Sequence, residues 1–321
     1  MTAVSRDIVL SQEQASTRRS DKMGPGYNFE CMAPSRDGAR LLYLNWSKQG
    51  SGMKAQVAAH SRVPAGPSLK PLHDLPCRCR PAAAGPTPGF SERATEPPSD
   101  AHSEACRLAA SGKAEAATLV LSRRDDLIDV AVVLAPAEPL VTARRALIAG
   151  MVALANAVGA LGPPEIPVTF GWPGTLLFNG ARLGGGRLGW PEECREDEVP
   201  NWLVFSGMLI ASKSAAGDPG HTPDSTALEE EGFGTDLRTP LVESFARHLT
   251  KAFEIWREDG FGHLAALYLA HLPVPSGARA AIEACGDGRL TWPDGRDESL
   301  PLCATLEAPN WRDLKTGGVR L

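Results

Sequence analysis

Arg182 and the three glycines that follow it, Gly184, Gly185 and Gly186, are the residues best placed to do chemistry. They belong to the stretch FGWPGTLLFNGARLGGGRLGW, residues 170–190. Asn179-Gly180 is a strong two-residue hairpin signal, because a type I′ turn holds both central residues at positive φ. That turn predicts a register: Phe178 opposite Ala181, Leu177 opposite Arg182, Leu176 opposite Leu183, and Thr175 opposite Gly184. Side chains alternate along strands, so Phe178, Leu176, Ala181 and Leu183 share an apolar face expected in the core. The other face carries Thr175, Leu177 and Arg182, with Gly184 bare. A guanidinium can fork onto a carboxylate or phosphate, and glycine lets a ligand lie against the backbone. The same residues also suit a flexible turn with Arg182 as a surface cation. Both readings stand at this point.

Other chemistry-bearing residues are sparse. The seven cysteines are irregularly spaced, which argues against a disulfide framework and for a reducing, cytoplasmic setting. Cys77-Arg78-Cys79 lacks a second ligand pair and is flanked by cations, so no metal site is expected. The seven histidines are scattered, and no G-x-S-x-G nucleophile elbow or Gly-Lys-Ser/Thr phosphate loop occurs. Glu229-Glu230-Glu231 reads as a solvated charge run or a helix start. Trp292-Pro293, before Asp294-Gly295, reads as the boundary of a strand and a turn.

The elements that must position Arg182 and the glycines begin near residue 100. Residues 99–113 have Ser and Asp cap candidates and helical apolar spacing. Residues 117–124 and 127–136 are β-branched runs, expected as adjacent strands separated only by Arg123, Arg124, Asp125 and Asp126. Residues 138–162 are expected as one long helix, stopped by Gly162-Pro163-Pro164. A strand at IPVTFGW, the hairpin, and a strand at NWLVFSGMLIAS follow. Residues 239–261 predict a second long helix, with Thr239 as N-cap and Pro240 in the first position. A third helix covers GHLAALYLAHL. Residues 273–321 predict a small β module.

Residues 1–97 differ in character. Apart from a strand at LLYLNW (41–46) they show no sustained period. Nine prolines fall in the 35 residues from 64 to 98. This region is expected to be a disordered N-terminal extension. Residues 1–100 carry 13 Lys and Arg against 9 Asp and Glu, while the remainder carries 20 against 29. The acidic remainder has no basic stripe with interleaved aromatics, so no nucleic-acid partner is expected. No run of 18 uninterrupted apolar residues occurs, so no membrane span is expected.

The order of strand, long helix, WPGTLLFNGARLGGG, strand, polar loop, TALEEEG, long helix and EDGF resembles the biotin and lipoate protein ligases, above all biotin protein ligase. The resemblance covers roughly residues 100–272, and Trp172-Pro173 with the hairpin and glycines is its most specific part. It implies an α+β fold: a mixed sheet like that of class II aminoacyl-tRNA synthetases, with helices packed on one face, over residues 98–272. The small β module at 273–321 fits the family's domain order. It also implies a reaction: ATP, with Mg, adenylates a carboxylic acid such as biotin or lipoate, and a carrier-protein lysine then attacks the acyl carbon. Fixed cations and backbone N–H groups must stabilise both transition states.

By that resemblance Arg182 takes the catalytic position and holds carboxylate and phosphate. Trp172, Thr175, Gly184, Gly185 and Gly186 line the acyl or adenylate pocket. Arg123 and Arg124 stand in for the family's Gly-Arg-Gly-Arg loop. The departures are specific. Gly171 replaces the lysine before Trp-Pro, Gly174-Thr175 replaces Asn-Asp, and Arg182 replaces the lysine of the second strand. The loop of residues 123–126 is too short to fold over a ligand as a lid. Two functions remain open: a divergent ligase, or a non-catalytic member that binds the acid or a biotinyl or lipoyl carrier domain.

Overall fold

The computed structural model describes residues 90–321, except Pro98, residues 218–220, Thr235 and Ala308, and the backbone of four strands nearer the N-terminus. The chain divides into two compact units, Met1–Arg80 and Pro81–Leu321. In the first, β1 (Ser16–Arg19), β2 (Tyr27–Ala33), β3 (Arg40–Gln49) and β4 (Gly52–Ala58) form one antiparallel sheet in that order. The strand expected at 41–46 lies inside β3. The other three strands depart from the disorder expected over residues 1–97. Gln49 pairs with Gly52 at the end of the β3–β4 ladder. Residues 64–89 of the proline-rich stretch, with Cys77 and Cys79, lie outside the described residues.

The second unit is built on a seven-stranded sheet in the order β5-β6-β7-β11-β10-β9-β8. Its strands are β5 (Ser91–Thr95), β6 (Thr118–Ser122), β7 (Leu127–Leu134), β8 (Val168–Gly171), β9 (Thr175–Phe178), β10 (Ala181–Gly189) and β11 (Leu203–Ile210). Only β5 and β6 run parallel, which makes the sheet mixed. The sheet thus starts ahead of residue 98. β5 has no apolar alternation, because four of its five residues are exposed at the sheet edge.

Among the described residues, six α-helices complete the unit: α1 (Ala101–Ala110), α2 (Leu140–Ala143), α3 (Ala146–Leu161), α4 (Arg238–Asp259), α5 (Phe261–Leu269) and α6 (Leu302–Glu307). The helix expected over 138–162 is interrupted at Arg144 and Arg145. Both guanidiniums are tied down there, Arg144 to Glu196 and over the Trp190 ring, Arg145 to Glu138 and against Trp256 and Phe261. α4 begins before Thr239, which therefore is not its N-cap. Arg238 donates to the carbonyls of Ser122, Arg124 and Leu127 and so pins the first turn to the β6–β7 connection.

Strand alternation gives the sheet two different faces. Leu119, Ile128, Val130, Val132 and Phe205 face α3, α4 and α5 in the main core. The stretch Leu140–Leu161 is long and apolar enough to cross a bilayer, but 78% of its most apolar window is buried in this core. Alternate residues face the other way. Val120, Ala131, Val133 and Val204 pack under α1, while Leu127, Met208 and Ile210 pack under Trp311 and Val319. Between these two patches the second face is polar.

The expected β module is an antiparallel sheet of β12 (Arg279–Ile282), β13 (Gly288–Thr291) and β14 (Asp297–Leu300). Trp292-Pro293-Asp294-Gly295 forms its second turn, closed by the Trp292 N–H to the Arg296 carbonyl. After α6 the chain crosses the second face of the large sheet.

Candidate functional site

The hairpin forms where expected, with Asn179 and Gly180 at φ of 54° and 78°. Phe178 pairs with Ala181 and Leu177 with Arg182. The register then slips. Leu176 pairs with Gly184 and Thr175 with Gly185, so Leu183 sits in a bulge. Leu176, Phe178 and Leu183 are buried as expected, while Ala181 is half-buried. The bulge reassigns the faces of the glycines. A Cβ on Gly184 would strike the Met208 carbonyl of β11, and one on Gly186 would fall 2.8 Å from Met151 Sδ and 3.0 Å from the Phe205 ring in the main core. Gly185 alone turns its bare side to the second face, where a Cβ would lie 2.3 Å from the Gly174 carbonyl and 2.6 Å from the Trp311 ring.

Gly185 is therefore the floor of a slot, and this chain's own Trp311 lies in it. The indole is 1% exposed and donates from Nε1 to the Gly186 carbonyl at 3.3 Å. Trp172, Pro173, Gly174, Thr175, Leu306 and Pro309 complete the walls, leaving about 10 Å³ of cavity. That is room for about one water. Trp172 stands edge-on to Tyr268, whose hydroxyl donates to the Pro173 carbonyl at 2.8 Å. Burial pushes the Tyr268 hydroxyl far above the usual phenol range.

Beside the slot lies a buried polar cluster. Continuing the alternation, Arg187 follows Gly185 on the same face and bonds Asp100 at 2.8 Å. The same carboxylate oxygen accepts from Arg312 at 3.0 Å, so one anion bridges two guanidiniums. Asp100 also caps α1 through the Ser103 N–H. Burial would raise its carboxyl, but Arg187, Ser103 and His102 hold it down at about 2. Asp129 accepts the Ala101 N–H at 2.9 Å and is pushed up to about 6, mainly by burial. His102 Nδ1 meets the Ser206 hydroxyl at 2.8 Å. Burial, then Arg187, pulls its imidazole down to about 3. Part of the ring still faces a cleft of about 1030 Å³ beside α1; the neutral form is favoured either way. Burial pushes the Cys106 thiol, in the same cleft, up to about 11.

The expected site residues divide. Trp172, Thr175, Gly185 and Gly186 meet at the slot. Gly184 serves strand packing. Arg182 donates to the Arg320 carbonyl at 2.9 Å on the surface. Arg123 pairs with Glu96 at 3.1 Å, and Arg124 with Asp126 at 2.6 Å. None of these three arginines lines the slot. Of the acidic run, Glu230 pairs with buried Lys213 and Glu231 accepts from Thr226. In this arrangement the residues do not fit a nucleotide triphosphate. Among the described residues, each cation around the glycines already has a partner from this chain.

The sequence reading missed Asp100, beyond its capping role, and Arg187, Arg312, His102, Ser206, Asp129 and Trp311. Arg187 was within reach, two residues beyond Gly185 on one strand. Trp311 and Arg312 carried no local signal, since their partners are 125 and 212 residues away.

The sequence pattern of the Biotin/lipoate A/B protein ligase family matches residues 86–270. A biotin protein ligase-like protein of unknown function from Silicibacter sp. TM1040 superposes at 31% identity and a TM-score of 0.59, over 68% of this chain and 97% of that one. Apo biotin protein ligase from Aquifex aeolicus superposes at 13% identity and a TM-score of 0.52, over 66% and 96%. No protein of curated function matches the sequence. The fold, the match over more than half of the chain and the 31% identical relative agree: the chain belongs to the biotin/lipoate A/B protein ligase family.

Proposed function

We propose that this chain is a non-adenylating member of its family, which binds the ring of a biotin-type acid, free or on a carrier protein, in the slot over Gly185. The observation that carries this reading is the contrast between the slot and its cations. The floor is glycine backbone with a carbonyl, Gly186, that takes an N–H donor from a flat ring. The cations that an acyl-phosphate transition state would need are committed elsewhere. Arg187 and Arg312 share Asp100, and Arg182 holds the Arg320 carbonyl. Adenylation without fixed cations forfeits the largest catalytic contribution, preorganised charge.

The same carbonyl sets a preference. A buried acceptor left bare costs about 1–3 kcal/mol. Biotin's cyclic urea supplies an N–H donor; the dithiolane of lipoate and the chain of octanoate do not. Biotin is therefore the expected ligand. Calorimetric titration of the parent and of Trp311→Ala with biotin, lipoate and octanoate tests this. Biotin should bind at least about tenfold tighter than the others, that being what about 1.4 kcal/mol confers, and ATP should leave its affinity unchanged. Binding of none of the three to either chain would refute the reading.

The family itself favours a second reading, ATP-dependent ligation. In that case ATP and magnesium would release pyrophosphate in the presence of biotin or lipoate. Release at the rate of a control ligase would displace the non-adenylating reading.

A further inference from the structure

We infer that residues 309–321 are a displaceable plug, an intramolecular occupant of the slot that must leave before any external ring enters. The inference rests on the slot being the binding face, as proposed above. Trp311 fills the slot almost completely and uses its only donor on the floor carbonyl. No ring can enter beside it, because about 10 Å³ remains.

The construction of the segment suits release. It adds no strand to the seven-stranded sheet. Much of its bonding is internal: Arg320 N–H to the Trp311 carbonyl at 2.8 Å, Asp313 N–H to Gly318 at 2.9 Å and Gly317 N–H to Asp313 at 2.8 Å. It can therefore leave as a folded loop. Its grip on the rest of the molecule combines the Trp311 and Val319 patch with three polar ties. These are Nε1 to Gly186, Arg312 to Asp100, and the Arg320 carbonyl to Arg182. Asp100 keeps Arg187 when Arg312 departs, so release strands no buried charge. Its outer side chains, Leu314 and Leu321, are 67% and 47% exposed.

What release leaves bare is what a ligand must replace: a ring on Gly185 and a donor to Gly186. A ligand that makes those contacts shifts the population toward the open form. Its apparent affinity falls by the open fraction, so a chain open 1% of the time binds about a hundredfold more weakly than its slot could.

Two measurements on the full chain test the plug without a ligand. In the first, Thr175→Cys places a thiol in the slot wall, and its iodoacetamide alkylation is followed peptide by peptide. Adding Trp311→Ala should raise the rate at least about tenfold, while Trp311→Phe, which keeps a ring, should stay near the starting rate. Equal rates in all three chains overturn the plug. In the second, hydrogen exchange is followed in the unaltered chain. The Trp311 indole N–H, whose bond to the Gly186 carbonyl breaks on release, should exchange at least about tenfold faster than the Gly186 amide of β10, which stays bonded to Gly174. Exchange of the two at one common rate overturns the plug. Biotin then separates the two proposals. Equal affinity for the parent and for Trp311→Ala removes the plug and leaves the slot reading. Failure to bind either chain removes the slot reading, while the ligand-free measurements still decide the plug.

Discussion

The two faces of the seven-stranded sheet are made by the same strands and differ in every other respect. One face is apolar where α3, α4 and α5 cover it. The other carries two small apolar patches, under α1 and under Trp311, separated by Asp100, Asp129, Arg187 and Ser206. A closed apolar face gains stability from burial, which is non-directional and tolerant of detail. A polar seam holds only if each group finds its partner. The first face therefore specifies the fold, and the second carries the slot and its polar seam.

The largest effect expected from this contrast lies on the apolar face. Leu154 is fully buried in α3 against the sheet. Leu154→Ala should cost about 2–5 kcal/mol, the usual range for a core cavity. The loss should appear as a lower urea midpoint of the whole transition, with the relative protection of residues 309–321 and of β10 unchanged. A loss below about 1 kcal/mol would mean that this face is not the foundation of the unit.

On the polar face a single charge is the sharper probe. Asp100→Asn keeps a good helix cap but leaves Arg187 and Arg312 without their shared anion. Breaking a buried pair by removing one partner costs about 3–5 kcal/mol; with Asp100 still 14% exposed, a loss of about 2 kcal/mol at pH 7 is expected. The parent's share of this stability is present above pH 3.8 and fades as pH falls through about 2, since the folded carboxyl is held down. The variant should lack that acid-side fading. Asp100→Ala should lose about 1 kcal/mol more, because it also removes the cap.

The contrast between the faces also explains what could be read from sequence. Periodicity revealed α1, the adjacent β6 and β7, the hairpin at Asn179-Gly180 and the long helices, because burial writes itself as repeating apolar positions. The family resemblance added the mixed sheet. The slot was legible only as far as β9 and β10 reach. Of the expected residues, Trp172, Thr175, Gly185 and Gly186 lie together at the slot, and the bulge at Leu183 turned Gly184 away from the expected face. The arginines were read for their charge alone, yet their partners decide what they do. Arg182 is spent on the Arg320 carbonyl, a contact across 138 residues. No local pattern encodes such a pairing, nor the return of Trp311 to the hairpin.

The smallest effect, and the most diagnostic of the polar seam, is in the pH dependence of stability. His102 and Asp129 pull in opposite directions. The unfolded imidazole binds a proton below 6.5 while the folded one binds only near 3, so His102 adds stability as pH rises across that window. The folded Asp129 carboxyl keeps its proton up to about 6 while the unfolded one loses it at 3.8, so stability falls as pH rises there. Between about pH 4 and 6 the folded chain holds one proton on Asp129 and the unfolded chain one on His102. The two slopes cancel, each being at most about 1.4 kcal/mol per pH unit. Removing either partner should uncover the other. Asp129→Asn, whose amide oxygen still accepts the Ala101 N–H, should gain stability relative to the parent as pH rises from 4 to 6. His102→Gln should lose it over the same interval. Urea midpoints at pH 4, 5 and 6 read both slopes. Slopes of the same sign would mean that the seam does not hold His102 neutral and Asp129 protonated side by side, and that the second face is organised by charge pairing alone.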